Sequence, residues 1–221
     1  MKLLAEGLYQ LRGFPPHAIN AYLMGGVLVD AGTRFDSGNI LRQLRGFHVS
    51  AHALTHAHPD HQGASHRVCQ ARNIPLWCGA HDADAAENPA LILARLPKHW
   101  INRTFAPLAV GPAQIVSRRL REGDEVGGFR VLETPGHCAG HVSYWREADR
   151  TLVIGDVLAR FPGANGRPTL REPPHFFSCD PAENRRSARR LAALNPDLVC
   201  FGHGPPLRDP DRLSRFIASW R

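Results

Sequence analysis

The sequence lacks long apolar runs and has little cysteine. No stretch of about eighteen consecutive apolar residues occurs among the 221 residues, so no membrane-spanning segment is expected. The apolar start of the chain is interrupted by Glu6, which argues against a signal peptide. The five cysteines form no C-x-x-C pair, which disfavours a disulfide framework and a structural zinc knuckle. We therefore expect a cytoplasmic protein.

Blocks of basic residues are also absent, although the net charge is +7. A basic chain invites anionic partners, but no five or six consecutive residues are basic, and nearly all of the basic residues are arginine. The densest cluster, from Arg185 to Arg190, has the spacing of one solvated helix face. This pattern disfavours nucleic acid as a partner and favours a small molecule. The sequence does not predict an oligomeric state.

Patterning predicts one domain over residues 1–221 that contains two groups of strands, each followed by helices. The 43% apolar content is enough for a sizeable core. Strands are predicted at 18–24, 27–29, 48–55, 74–78, 118–120, 129–133, 141–145, 151–154 and 198–201, and helices at 36–46, 62–72, from 81 onward, 181–194 and 210–220. Such an order predicts an α+β fold, in which two packed sheets carry helices on their outer faces.

Residues 88–112 interrupt this pattern. Four prolines surround a run of apolar and aromatic residues, so we expect an irregular segment that is either a packed excursion or a lid over a pocket.

The densest chemical signal is the run Thr55-His56-Ala57-His58-Pro59-Asp60-His61. Residues two apart on an extended chain point to the same side, so His56 and His58 can converge on one ion. The turn expected near Pro59 lets Asp60 and His61 face a neighbouring site. Imidazole and carboxylate ligands suit zinc, iron or manganese.

Three further predicted strand ends each place a ligand-type residue directly after a glycine. They are Gly136-His137, Gly155-Asp156 and Gly202-His203. Glycine permits the tight turn and the close backbone approach that a metal pocket needs. Together with the first motif, they predict one metal centre built from four distant segments.

These residues resemble the metallo-β-lactamase superfamily of dinuclear metallohydrolases. The resemblance rests on the motif His56, His58, Asp60 and His61, on the run Thr134 to His141, on Gly155-Asp156 and on Gly202-His203, and it covers nearly the whole chain. It implies an αβ/βα four-layer sandwich. It also implies that two divalent metal ions are bound, zinc being favoured over iron or manganese, by the following ligands: His56, His58 and His137 for the first ion; Asp60, His61 and His203 for the second; Asp156 between them.

Two ions held in this way would share a water and lower its pKa, so the resemblance implies hydrolysis. Asp60 is expected to orient this nucleophile as well as to bind metal. No G-x-S-x-G nucleophile elbow is present, so a serine-based mechanism has no support. Our principal hypothesis is a hydrolase of a small ester, thioester or lactone whose acidic or polar group meets arginine.

Alternatives within the same superfamily remain open. A mononuclear iron enzyme similar to the persulfide dioxygenases would bear the same motif, and so would a phosphodiesterase or nuclease, which the net charge would suit. A binding protein without turnover is a third alternative, which an intact ligand set disfavours.

Four residues are candidate substrate contacts. Trp100 and Phe105 belong to the 88–112 segment, and Arg171 and His175 belong to the proline-rich stretch after Asp156. The remaining histidines without a spacing argument are expected on surfaces or helices: His52, His66, His81 and His99.

Overall fold

Two mixed sheets form the centre of the computed structural model, which describes residues 1–163 and 165–220. In the first sheet, the seven strands follow one another in chain order: β1 (Lys2–Ala5), β2 (Leu8–Gln10), β3 (Tyr22–Met24), β4 (Val27–Val29), β5 (Ala51–Ala53), β6 (Leu76–Gly79) and β7 (Val116–Leu120). The strands from β1 to β4 pair antiparallel, and those from β4 to β7 pair parallel.

The second sheet has five strands: β8 (Glu125–Val126), β9 (Phe129–Glu133), β10 (Val142–Arg146), β11 (Thr151–Gly155) and β14 (Leu198–Phe201). Their order across the sheet is β14-β11-β10-β9-β8. Only β11 and β14 pair parallel. A separate antiparallel hairpin is formed by β12 (Ala159–Pro162) and β13 (Pro168–Arg171).

Helices cover the outer faces of both sheets. They are α1 (Ser37–Gln43), α2 (Pro59–Gln62), α3 (Ser65–Arg72), α4 (Ala83–Glu87), α5 (Pro89–Arg95), α6 (Trp100–Ala109), α7 (Pro181–Ala192) and α8 (Pro210–Ala218), with a short 3₁₀ helix at His175–Phe177. Among the described residues, no helix has the length and apolarity needed to cross a bilayer.

Strands at the centre of each sheet are buried on both faces. In β4, Val27 and Val29 join the core between the sheets, whereas Leu28 packs into the cluster that includes residues of α1 and α3. In β11, Val153 belongs to the core between the sheets, and Leu152 packs against residues of α7 and α8. Alternate residues therefore serve two cores, as the two-sheet sandwich requires. The predicted α+β architecture with four layers is confirmed.

The 88–112 segment is not irregular, and this expectation is wrong. It forms α5 and α6, although Pro107 lies inside α6 and has no N–H to donate to the preceding turn. Pro89 occupies the first turn of α5, where a missing N–H costs nothing, and the Asn88 side chain accepts a hydrogen bond from the Ala90 N–H. Pro97 lies between the two helices.

His52 is a second correction. It is fully buried on β5 rather than lying on a surface or a helix. Its Nε2 lies 2.8 Å from Ser65 Oγ, and its Nδ1 lies 3.0 Å from the carbonyl oxygen of Leu28. These two hydrogen-bond partners offset the cost of burying the polar ring, and burial lowers the pKa of His52.

Candidate metal centre

Four chain segments meet where β5, β9, β11 and β14 end. The two sheets are joined here, because the Val142 N–H donates to the carbonyl oxygen of Thr55 at 2.8 Å and the Tyr144 hydroxyl donates to that of Leu54 at 2.6 Å. Side chains that follow these strands are thereby directed to one edge of the sandwich.

All seven predicted ligands lie at this edge. Their ligand atoms form three overlapping groups, and within each group the atoms lie within 4.8 Å of one another. The groups are His56, His58 and His137; His56, His61 and Asp156; and Asp60, His61 and His203. Because His56 and His61 are each shared between two groups, the three groups are one continuous cluster.

The first group consists of three buried imidazoles. Nε2 of His137 lies 2.9 Å from Nδ1 of His58, and the His56 ring lies 4.5 Å from the His58 ring, centroid to centroid. Burial lowers the pKa of His56, His58 and His137, so the rings are neutral. Neutral imidazole is the form that donates a lone pair to a metal ion.

The second and third groups combine carboxylates with imidazoles. Nε2 of His203 lies 3.1 Å from Asp156 Oδ2 and 3.3 Å from Asp60 Oδ2, and Nε2 of His61 lies 3.4 Å from Asp156 Oδ2. Burial lowers the pKa of His203, but Asp156 and Asp60 outweigh burial and raise it to about 10. The pKa of His61 is likewise raised well above its usual value, since Asp156 and Asp30 outweigh burial. Protons thus compensate the carboxylates in the metal-free protein.

Three buried atoms of this cluster have no hydrogen-bond partner: His56 Nε2, His61 Nε2 and Asp156 Oδ1. Buried polar atoms without partners are rare in native proteins. All three belong to predicted ligands and are nitrogen or oxygen atoms that divalent ions accept. The donor set therefore fits a divalent metal centre.

Gly202 makes room for the cluster. A Cβ atom at this position would lie 1.9 Å from Asp156 Oδ1 and 2.8 Å from His61 Cε1. The glycine before His203 is therefore required by the close approach of two other predicted ligands.

The reasoning from sequence missed Asp30, whose carboxylate holds His61, a member of the second and third groups. Asp30 directly follows β4 and is almost fully buried. It accepts hydrogen bonds from the Thr55 N–H at 2.8 Å, the Thr55 hydroxyl at 2.8 Å and His61 Nδ1 at 3.0 Å. The bond to Nδ1 leaves Nε2 of His61 free to bind metal. The residues Asp30-Ala31-Gly32 resemble an ordinary turn, so only their place after a buried strand signals this role.

His141 contacts Asp156 from the backbone side. Its Nε2 accepts a hydrogen bond from the Asp156 N–H at 3.0 Å, and its Nδ1 lies 2.8 Å from the Thr134 hydroxyl. Burial lowers the pKa of His141 to about 4, which keeps Nε2 available as an acceptor.

Asp82 holds the loops that carry the first group. Its carboxylate accepts hydrogen bonds from the Ala57 N–H at 3.0 Å and the Gly140 N–H at 2.9 Å, and its Oδ2 lies 3.0 Å from Cys138 Sγ. No motif in the sequence indicated this residue.

A pocket of about 340 Å³ opens over the ligand cluster. Five predicted ligands form its floor: His58, Asp60, His137, Asp156 and His203. Its walls come from α6, β12 and the segment around residues 173–177. The 88–112 segment therefore borders the site, as the lid hypothesis requires.

Of the four candidate substrate contacts, the structure places Phe105 in the pocket wall and the others elsewhere. One face of α6 carries Ile101, Phe105 and Ala109, which line the pocket. Trp100 precedes Ile101 by one residue, so its side chain lies off that face and is 64% exposed. Arg171 is exposed on β13, and His175 lines a separate surface cleft beside α7. The phase of α6 and the β12–β13 hairpin, neither of which was predicted, account for the difference.

Comparison with known proteins agrees with this geometry. The family model described as the metallo-beta-lactamase superfamily matches residues 14–203. The chain belongs to the metallo-beta-lactamase superfamily. It is 27% identical over 200 residues to the probable metallo-hydrolase YflN of Bacillus subtilis, covering 82% of this chain and 76% of YflN. Metal-dependent hydrolysis is therefore the activity of this superfamily member.

One further relative matches a smaller part of the chain, and two solved structures share its fold over nearly the whole chain. A hydroxyacylglutathione hydrolase of Methylobacterium nodulans is 48% identical over 107 residues, which are 46% of this chain and 38% of that enzyme. The metallo-beta-lactamase family protein TTHA1429 of Thermus thermophilus superposes with a TM-score of 0.69 at 28% identity, over 98% of this chain and 80% of that chain. TTHA1623, solved in a di-iron-bound form, superposes with a TM-score of 0.65 at 29% identity, over 94% of this chain and 91% of that chain.

Proposed function

We propose that this protein hydrolyses a small ester, thioester or lactone at a centre of two divalent metal ions, with zinc as the metal. The observation that carries the proposal is the single cluster of seven ligand-type residues with three buried, unpartnered donor atoms. A cluster with only one group of three ligands would support one ion. The overlapping groups favour two.

The seven residues would be assigned to the two ions as follows. His56, His58 and His137 would hold one ion, Asp60, His61 and His203 the other, and Asp156 would serve both, since its Oδ2 lies 3.1 Å from His203 Nε2 and 3.6 Å from His137 Nε2. The bound ions would supply an activated water and Lewis acidity toward the scissile carbonyl.

Asp60 is our candidate for positioning the attacking water. Its side chain is 35% exposed and belongs to the pocket floor. His61 and His203 outweigh the effect of burial and hold the pKa of the Asp60 carboxyl well below its usual value. An ionised carboxylate accepts hydrogen bonds from water and does not compete with it as a donor.

Metal content and turnover test the proposal. Wild-type protein purified without added ions should contain about two zinc ions per chain and should hydrolyse thioester, ester or lactone probes. His58→Ala and Asp156→Ala should abolish turnover. His66→Ala is the matched control, because His66 lies on α3, contacts Gln114 and belongs to none of the ligand groups; its rate should equal that of the wild type. Equal rates in all four proteins would remove the metal mechanism.

The same measurements separate the alternatives. One iron per chain, with oxygen consumed in the presence of a persulfide, would support the dioxygenase hypothesis instead. Binding to nucleic acid that weakens steeply with salt would support the nuclease hypothesis. Our proposal expects neither result.

The five cysteines are all free thiols, four of them buried, which supports a reducing compartment such as the cytoplasm.

A further inference from the structure

The walls of the pocket differ chemically from its floor. The floor carries predicted metal ligands, whereas the walls above it are almost entirely apolar. Representative wall residues are Leu96, Ile101, Phe105, Ala106, Phe161 and Phe177. A cavity of about 340 Å³ is within the range of small-ligand sites, and such a lining favours apolar groups.

Asn102 contributes the one polar side chain of the described wall, and its amide donors are already occupied. Nδ2 donates to the carbonyl oxygen of Pro97 at 2.8 Å and to that of Phe176 at 2.7 Å. The bond to Phe176 fastens α6 to the opposite wall, the bond to Pro97 holds the start of α6 to the turn before it, and no Nδ2 hydrogen remains for a ligand. The stacking of His99 on Phe176, with centroids 4.4 Å apart, adds a second link between the same walls. The two walls are thus held in a fixed spacing.

No lysine or arginine belongs to the described lining of this pocket, despite the net charge of +7. An anionic group that lies against these walls would lose its hydration and would gain no lysine or arginine partner in return. The cost of burying an unpaired carboxylate is several kcal/mol. The expectation from sequence that arginine meets an acidic substrate group is therefore not supported by this lining.

We infer that the substrate carries, on one side of its scissile bond, a neutral apolar chain or ring that fills this pocket. This inference rests on the proposed function for the reaction but on the pocket walls alone for the preference. Each buried methylene contributes about 0.8 kcal/mol, which corresponds to about a fourfold change in affinity. Affinity should therefore increase with chain length until the chain fills the pocket.

Binding to the metal-free protein tests the preference without any turnover. The probes are pentanamide, hexanamide and heptanamide, and adipamate as the chain that ends in a carboxylate, with affinities measured by ligand-observed NMR titration. We expect Kd to fall about fourfold per methylene and adipamate to bind at least thirtyfold more weakly than hexanamide. A flat series, or adipamate binding as tightly as hexanamide, would overturn the inference.

A charge substitution at the wall supplies the matched comparison. Phe105 and Leu108 lie on the same helix and are 55% and 58% exposed, but only Phe105 lines the pocket. Phe105→Arg should tighten adipamate binding at least tenfold and weaken heptanamide binding, whereas Leu108→Arg should change neither. Equal effects of the two variants would mean that adipamate responds to surface charge and not to this wall, which would also overturn the inference.

Failure of this inference can be told from failure of the proposed function. The zinc-loaded wild type is assayed with alkyl thioesters and esters in which first the acyl chain and then the leaving chain is lengthened. Length-dependent amide binding without hydrolysis of any ester, thioester or lactone would refute the proposed function and leave the pocket preference standing. Hydrolysis that is indifferent to the length of both chains would refute the preference and leave the hydrolase standing.

Discussion

Replacing Asp30 with asparagine should weaken metal binding although Asp30 is not itself a predicted ligand. Its carboxylate accepts three hydrogen bonds, two from Thr55 and one from His61 Nδ1. Asparagine has one acceptor oxygen in place of two, and its NH₂ group would face a donor. The Asp30→Asn variant therefore loses the negative charge beside the His61 ring. It also loses the hydrogen bond that fixes this ring wherever its NH₂ group faces His61 Nδ1.

The size of the effect follows from these contacts. Loss of the group that orients a metal-ligating histidine typically reduces metal affinity by about 10- to 100-fold, which corresponds to about 1.4–2.7 kcal/mol. Because Asp30 is about 1% exposed, loss of its charge-assisted hydrogen bonds should also lower the free energy of unfolding by about 2–3 kcal/mol. The protein should still fold and should bind its second ion weakly.

Competition against a chromogenic chelator measures both metal affinities. The control is Asp36→Asn, because Asp36 also accepts hydrogen bonds from a threonine N–H and hydroxyl, those of Thr33 at 2.8 and 2.6 Å, but lies outside the ligand cluster. Asp36→Asn should leave both affinities within about twofold of wild type, an allowance well below the effect expected for Asp30. If Asp30→Asn does the same, the reasoning about His61 is wrong.

Three further predictions follow from the site. Gly202→Ala should reduce bound metal below two ions per chain by elemental analysis, because its Cβ would lie 1.9 Å from Asp156 Oδ1; full occupancy would show that the loop can shift at little cost. Lowering the pH should weaken metal binding, by about tenfold per pH unit for each proton that the metal displaces. The reason is that Asp156 and Asp60 outweigh burial and raise the pKa of His203 to about 10, so that His203 is protonated in the metal-free protein. Calorimetry in buffers of different ionisation enthalpy should detect proton release on zinc binding at pH 8, and the absence of release would contradict this sign. Asn102→Ala removes two hydrogen bonds, of which the one to Phe176 links the pocket walls, and should lower Tm by about 4–8 °C, from about 2 kcal/mol, and weaken heptanamide binding. An unchanged Tm and Kd would show that the walls keep their spacing without this residue.

The convergence of these seven residues could be predicted from the sequence, because they mark the ends of buried strands. His137, Asp156 and His203 each follow a glycine directly after a strand or at the next turn, and strands that run in the same direction bring such positions to one edge. The spacing of the histidines and Asp60 within residues 56–61 likewise predicted that these side chains come together. Local patterns were sufficient here, because the site is built from strand ends.

The substrate pocket was harder to predict because its walls depend on helix phase and on long-range packing. Trp100 and Phe105 are both aromatic residues of α6, but a shift of one residue rotates a side chain by about 100° around the helix. Without the helix, the two residues could not be distinguished. The role of Asp30 was also hidden, since its partners Thr55 and His61 lie 25 and 31 positions away along the chain.

The short spacing from His56 to His61 has a consequence for the unfolded protein. Four ligand-type side chains within six positions stay near one another in any conformation of the chain, so a denatured molecule should retain some affinity for a divalent metal ion. An ion that also binds the denatured state raises the unfolding free energy by less than its affinity for the native site implies. Thermal shifts caused by an added metal ion therefore set only a lower bound on how tightly the folded protein binds that ion.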